Sequence, residues 1–110
     1  MSEKRQIQRL SGAIQRTVAL LRSHGERQWA FKLEGHLEAL NEGDLSAVDR
    51  VLSTYGGMGG FNDLYLCAQN GHKLELPETP AINENLSNLR HQMWELATAL
   101  RSGLRGGSTG

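Results

Sequence analysis

Cysteine occurs once in the 110 residues, at Cys67. One thiol excludes an internal disulfide and a cysteine-rich zinc site, and it fits a reducing compartment. Proline occurs only at Pro77 and Pro80, where the two enclose a polar linker. Aromatic residues make up 5% of the chain, and no apolar run approaches the roughly 20 residues of a membrane span. Met1-Ser2-Glu3-Lys4-Arg5 does not lead into the apolar block of a signal peptide. The formal net charge is zero, which argues against a general nucleic-acid binder. These shortages lead to the expectation of a cytoplasmic protein without membrane or nucleic-acid partners. The apolar fraction of 38% suffices for a modest core but no large cavity. One domain is expected over residues 1–103, with a flexible tail at 104–110.

What is abundant is glycine, thirteen in all, with four of them in the five positions 56–60. Glycine loses the most backbone freedom on folding, so such a run calls for special backbone angles or a close approach by another group. A phosphate loop fits poorly, because Phe61 and Asn62 follow the last glycine where a Walker-type loop has Lys and then Ser or Thr. In the structural reading, Gly56 caps the preceding helix in the left-handed conformation and Met58 plugs the core. Tyr55 and Phe61 anchor the two ends, and Asn62 and Asp63 bond to nearby backbone N–H groups. Such a loop, held rigidly, also suits a binding surface.

Apolar spacing sets out four helices. Ile7, Leu10, Ile14, Val18 and Leu21 predict a first helix over 3–23, stopped by Gly25. Trp29, Ala30, Leu33, Leu37 and Leu40 predict a second over 26–42. Gly35 weakens that helix by about 1 kcal/mol relative to Ala, which suggests tight packing against a neighbour. Gly43 stops it, and Asp44 caps a third helix over 45–55 with Leu45, Val48, Leu52 and Tyr55 on its apolar face. Ile82, Leu86, Leu89, Met93, Leu96, Ala97 and Leu100 predict a fourth over 81–102, with Trp94 beside the stripe and Gly103 as its end. Between the third and fourth, Asn70-Gly71 carries the strongest two-residue hairpin signal, and His72-Lys73-Leu74-Glu75-Leu76 alternates as a strand should. The expected fold is therefore mainly α, four helices with a small β-hairpin insert over residues 63–76.

Charge is divided unevenly. Residues 1–27 hold six basic and two acidic side chains, whereas residues 28–63 hold two basic and six acidic. Glu34, Glu38 and Glu42 recur at steps of four and form an acidic ridge. That ridge either faces the basic side of the first helix or presents an acidic patch to a basic partner. Opposite ridges on one chain also leave pairing between copies, a homo-oligomer, open.

Chemistry is sparse. The four histidines, His24, His36, His72 and His91, lack the spacing of a zinc protease motif. An enzymatic reading requires Asp63, His72 or Cys67 to converge in a cleft. No catalytic residue, metal ligand or cofactor is expected.

The ten residues Tyr55-Gly56-Gly57-Met58-Gly59-Gly60-Phe61-Asn62-Asp63-Leu64 resemble the core of a family of small, uncharacterised, mostly bacterial domains. That core reads Tyr-Gly-Gly-Met-Gly-(small)-(apolar)-Asn-Asp-Leu. It follows helices and precedes an apolar strand-like run, and a similar layout extends loosely over residues 7–100. The resemblance implies no activity and transfers no site residue. It singles out residues 55–64 as the defining element, and the family's small size and variable surfaces are similar to those of antitoxin or immunity proteins.

The expected function is a non-enzymatic protein-binding domain, with an immunity- or antitoxin-type inhibitor of a basic partner as its sharper form. The alternative is a small-molecule or anion-binding module using the glycine-rich loop 56–63. Candidate binding residues are Tyr55, Gly57, Met58, Gly59, Phe61, Asn62 and Asp63 on the loop, with Glu34, Glu38 and Glu42 on the ridge. For the inhibitor, Asp44 and Asp49 extend the ridge.

Overall fold

Four helices carry the fold: α1 (Glu3–Ser23), α2 (Arg27–Asn41), α3 (Ser46–Ser53) and α4 (Thr79–Gly107). The computed structural model describes residues 3–56 and 59–107. Each helix forms where the apolar spacing places it, because a three-four repeat puts those side chains on one face. Leu10, Ile14, Val18 and Leu21 are buried on α1, and Ala30, Leu33 and Leu40 on α2. Val48, Val51 and Leu52 do the same on α3, and Leu86, Leu89, Met93, Ala97 and Leu100 on α4. α1 packs along both α2 and α4, and α3 packs on the same two, so the four faces enclose one core. The bundle measures 51 × 24 × 22 Å. No helix among the described residues is long and apolar enough to cross a membrane.

Glycine ends the first two helices as expected. Gly25 and Gly43 take φ of 79° and 90°. At each, the next N–H reaches back to close the last turn: Glu26 N to Leu21 O at 2.9 Å, and Asp44 N to Ala39 O at 2.9 Å. The glycine N–H itself bonds Arg22 O or Leu40 O. Both are Schellman closures, which need a left-handed residue at that point. Asp44 then receives the Ser46 N–H at 3.1 Å, the capping role expected of it at the start of α3.

The β-hairpin is the main correction: the described residues contain no β-strand. Asn70-Gly71 is a turn of another kind. Ala68–Asn70 form a short 3-10 turn, and Gly71 closes it at φ 86°. His72 N bonds Cys67 O at 3.2 Å and Gly71 N bonds Ala68 O at 3.0 Å, the same pattern that ends α1 and α2. A two-residue hairpin of this type needs positive φ at both central residues, and Asn70 has none. The apolar run therefore never folds back on itself. Residues 64–76 instead form a strap across the bundle, pinned by partners far away in sequence. Asn83 of α4 accepts from Leu66 N at 2.8 Å and donates to Leu66 O at 2.7 Å, standing in for a neighbouring strand. Lys73 N donates to His24 O at 2.8 Å, tying the strap to the α1–α2 turn.

Three smaller expectations also change. Gly56 does not adopt the left-handed conformation, and α3 ends at Ser53 with Thr54 as its right-handed cap. Gly103 does not stop α4, which continues to Gly107. Leu104 packs against the core beyond Gly103, and that apolar contact carries the helix past a weak former. Gly35 is exposed, and a Cβ there would meet nothing within 4 Å, so no close neighbour explains it. The Met58 plug and the Gly57 position lie outside the described residues.

Candidate functional site

Two backbone groups join the ends of the glycine-rich stretch: Phe61 N donates to Thr54 O at 2.8 Å. Asp63 Oδ2 accepts from Gly59 N at 2.8 Å, which fastens the stretch from within and fits the φ of 76° at Gly59. Asn62 Nδ2 reaches toward Tyr55 O at 3.5 Å, a carbonyl rather than the expected N–H. Phe61 is wholly buried. Its ring lies 5.3 Å from that of Trp29 and 5.6 Å from that of Tyr55. Tyr55 in turn sits edge-on to Trp94 at 5.1 Å. These four rings run from the core to the surface, where Trp94 is 40% exposed.

Arg90 of α4 locks the assembly. Its Nη1 donates to Phe61 O at 2.8 Å and to Leu64 O at 2.9 Å, and its guanidinium lies 5.7 Å from the Phe61 ring centre. The Tyr55 hydroxyl donates to Arg90 O at 2.7 Å. One residue therefore holds both ends of the loop against α4. Burial pulls the Arg90 pKa down, against the opposing pull of Tyr55 and Asp63. Burial also pushes the Tyr55 hydroxyl well up, so it remains a neutral donor.

Between the loop, α3 and α4 lies an open cleft of about 660 Å³. Leu52, Ser53 and Tyr55 form one side, Ser87, Arg90, His91 and Trp94 the other, with Gly56 and Asn62 at the loop. A smaller recess of about 410 Å³ lies beside Arg22, Arg27 and the exposed Phe31.

Of the candidates read from the sequence, Tyr55 and Asn62 line the cleft. Phe61 supports it from beneath, while Gly59 and Asp63 bond to one another beside it. Gly57 and Met58 lie outside the described residues. Glu34 and Glu38 belong to α2, Glu42 is its C-cap, and none of the three lines the cleft. Glu34 is paired with Arg22 of α1, the cross-helix match considered for the ridge. Glu38 and Glu42 are exposed. Asp44 holds Ser46 and Arg50, with Arg50 Nη2 at 2.7 Å, and these bonds keep its carboxyl below the usual range. His36, on α2, has its pKa lowered by burial and by the nearby Arg50 of α3.

Asp63, His72 and Cys67 do not form a catalytic group. Asp63 is committed to Gly59 N. His72 Nδ1 accepts from the Cys67 backbone N–H at 3.1 Å, which places the proton on Nε2, facing Glu26 Oε1 at 3.0 Å. Both ring nitrogens are thus occupied, and neither addresses the Cys67 thiol. Glu26 Oε2 also accepts from Trp29 N at 3.0 Å, so this carboxylate caps α2 while anchoring the strap.

The cleft wall on α4 was not singled out from the sequence, although a signal was present. Asn83, Ser87, Arg90 and Trp94 follow one another at steps of four, three and four, a second face beside the apolar stripe. Its first member grips the strap and the other three line the cleft.

Residues 22–75 match the family described as Domain of unknown function (DUF6966), a span that holds α2, α3, the glycine-rich core and most of the strap. The match agrees with the resemblance to an uncharacterised domain family. No curated protein and no solved structure matches the chain.

Proposed function

We propose that this domain is a non-enzymatic protein-recognition module of the cytoplasm whose binding site is the cleft between the glycine-rich loop, α3 and α4. The observation that carries this reading is the lining itself: Trp94, Tyr55 and Arg90 converge on one open depression. These are the residue types over-represented among the dominant contacts of protein interfaces. Each is held in place, Tyr55 and Arg90 by hydrogen bonds and Trp94 by the Tyr55 ring, so little ordering remains to be done on binding. A small molecule is enclosed over most of its surface in a typical pocket. This cleft is open, so a chain segment lying across it, with contacts on both flanks, fills it better.

The acidic ridge is the weaker surface for an immunity- or antitoxin-type inhibitor. Glu34 and Asp44 already hold Arg22 and Arg50, so a basic partner would have to compete with them. Ser87→Trp tests the choice, because Ser87 is exposed and a bulky side chain there fills the cleft without removing a contact. In affinity capture from host extract, a partner retained by wild type is expected to be lost by Ser87→Trp and kept by Glu38→Lys, Glu42→Lys. The opposite pattern would move the function to the ridge and overturn the cleft.

A further inference from the structure

Building on the cleft as a recognition site, we infer that its partner is an acidic peptide segment. A carboxylate of that segment meets Arg90, and a neighbouring aromatic or large aliphatic side chain packs on Trp94. The first support is the charge of the lining. Its charged side chain is Arg90, and it contains no Asp or Glu, in a chain whose net charge is zero with histidine neutral. Asp63 bonds Gly59 N and acts on Arg90 from beyond ion-pair distance, and Glu95 faces His91 Nε2 at 2.5 Å.

The second support is how Arg90 is held. Among the described residues no carboxylate lies within ion-pair distance of it. Its bonds go to the neutral carbonyls of Phe61 and Leu64, and both come from Nη1. A half-buried guanidinium oriented by backbone oxygens, with Asp63 acting on it only from beyond ion-pair distance, favours an incoming anion. The planar fork suits a carboxylate with two oxygens, and partial exclusion of water strengthens that contact.

The third is spacing on one helix. Arg90 and Trp94 are four residues apart, so they stand side by side about one turn apart. A segment with an acidic residue next to an apolar one can reach both. Ser87 stands beside them for hydrogen bonds to its backbone, together with the oxygens of Asn62 and Ser53 as acceptors, since the Asn62 amide N–H and the Ser53 hydroxyl already bond Tyr55 O and Arg50 O.

A random-peptide display library selected on wild-type protein, with Ser87→Trp as the counter-selection, tests this. The expected winners carry Asp or Glu beside Phe, Tyr, Trp, Leu or Ile. For one synthesised winner, Trp fluorescence titration is expected to show a roughly tenfold or greater loss of affinity when its acidic residue becomes the amide. Raising the salt should weaken the parent peptide more than the amide. Arg90→Lys, checked by circular dichroism, should weaken the parent more than it weakens the amide, because any shift of the loop that Arg90 holds acts on both peptides alike. Winners without acidic residues, or an amide that binds equally well, would overturn the acidic class and leave the recognition module standing. No enrichment over Ser87→Trp would overturn both. A single-stranded oligonucleotide that binds wild type, not Ser87→Trp, and displaces the winning peptide would overturn the peptide assignment.

Discussion

The bundle and the segment that crosses it, residues 54–78, are stabilised in opposite ways. Within α1, α2 and α4 the backbone satisfies itself through local hydrogen bonds, and side chains are left to fill the core. Among its described residues the crossing segment has three short 3-10 turns, at Phe61–Asp63, Ala68–Asn70 and Leu76–Glu78. Its backbone depends on side chains, most of them from α4 and one from within the segment. Arg90 serves Phe61 and Leu64, Asn83 serves Leu66, and His72 serves Cys67. A helix therefore tolerates most single changes on its outer face. The segment rests on a few polar residues, each of which leaves buried or half-buried partners unsatisfied when removed. The cleft lies where the two regions meet.

Phe61→Ala should give the largest effect. The ring is fully buried between Trp29, Tyr55 and Arg90, and truncation of such a side chain costs about 3–5 kcal/mol. That is a large part of the stability of a small domain. Urea unfolding followed by both Trp fluorescence and far-ultraviolet circular dichroism would measure it. Coincident transitions are expected if segment and bundle unfold together. A fluorescence change preceding the loss of helix would show the segment opening on its own, and would sharpen the division into two regions.

Asn83→Ala comes next. It removes the donor and the acceptor that pair with Leu66, as well as a bond to Thr79 O at 2.9 Å. Leu66 is fully buried, so its N–H and C=O cannot turn to water without moving the strap. The expected cost is about 1–3 kcal/mol. Native-state hydrogen exchange should locate the change, with the Leu66 amide losing protection and the α1 amides keeping theirs. Equal loss of protection in α1 would mean that the strap is part of the bundle's cooperative unit, and the comparison would fail.

These two residues also mark what the sequence made legible. The helices were readable because their information is local: Leu10, Ile14, Val18 and Leu21 repeat along one face, and Gly25 and Gly43 stop the turns that precede them. The course of residues 63–76 was not, because its hydrogen-bond partners lie in other elements. Leu66 pairs with a residue 17 positions away, and His72 with one 46 positions away. Gly71 does supply the left-handed turn that the Asn-Gly pair suggests, but it ends a helical turn rather than joining two strands. For the site, the glycine-rich core pointed to Tyr55 and Asn62 at the cleft. Arg90 and Trp94 were missed because the apolar stripe of α4 accounted for that helix by itself.

Gly35 and Gly59 provide the finest contrast, since the same substitution should act with opposite sign in the two regions. Gly35 lies inside α2 with open space where a Cβ would stand. Ala there lowers the entropy of the unfolded chain and raises helix propensity, so Gly35→Ala should stabilise by about 0.5–1 kcal/mol. Gly59 also has open space around it, but its φ is 76°. A side chain at that angle is strained whatever room surrounds it, so Gly59→Ala should destabilise by about 1–2 kcal/mol. Urea midpoints of the two variants, measured beside wild type, read the signs directly. A neutral Gly59→Ala would mean that the bond from Gly59 N to Asp63 can be kept at another backbone angle. The loop would then be held by its flanking residues, Tyr55 and Phe61, rather than by glycine.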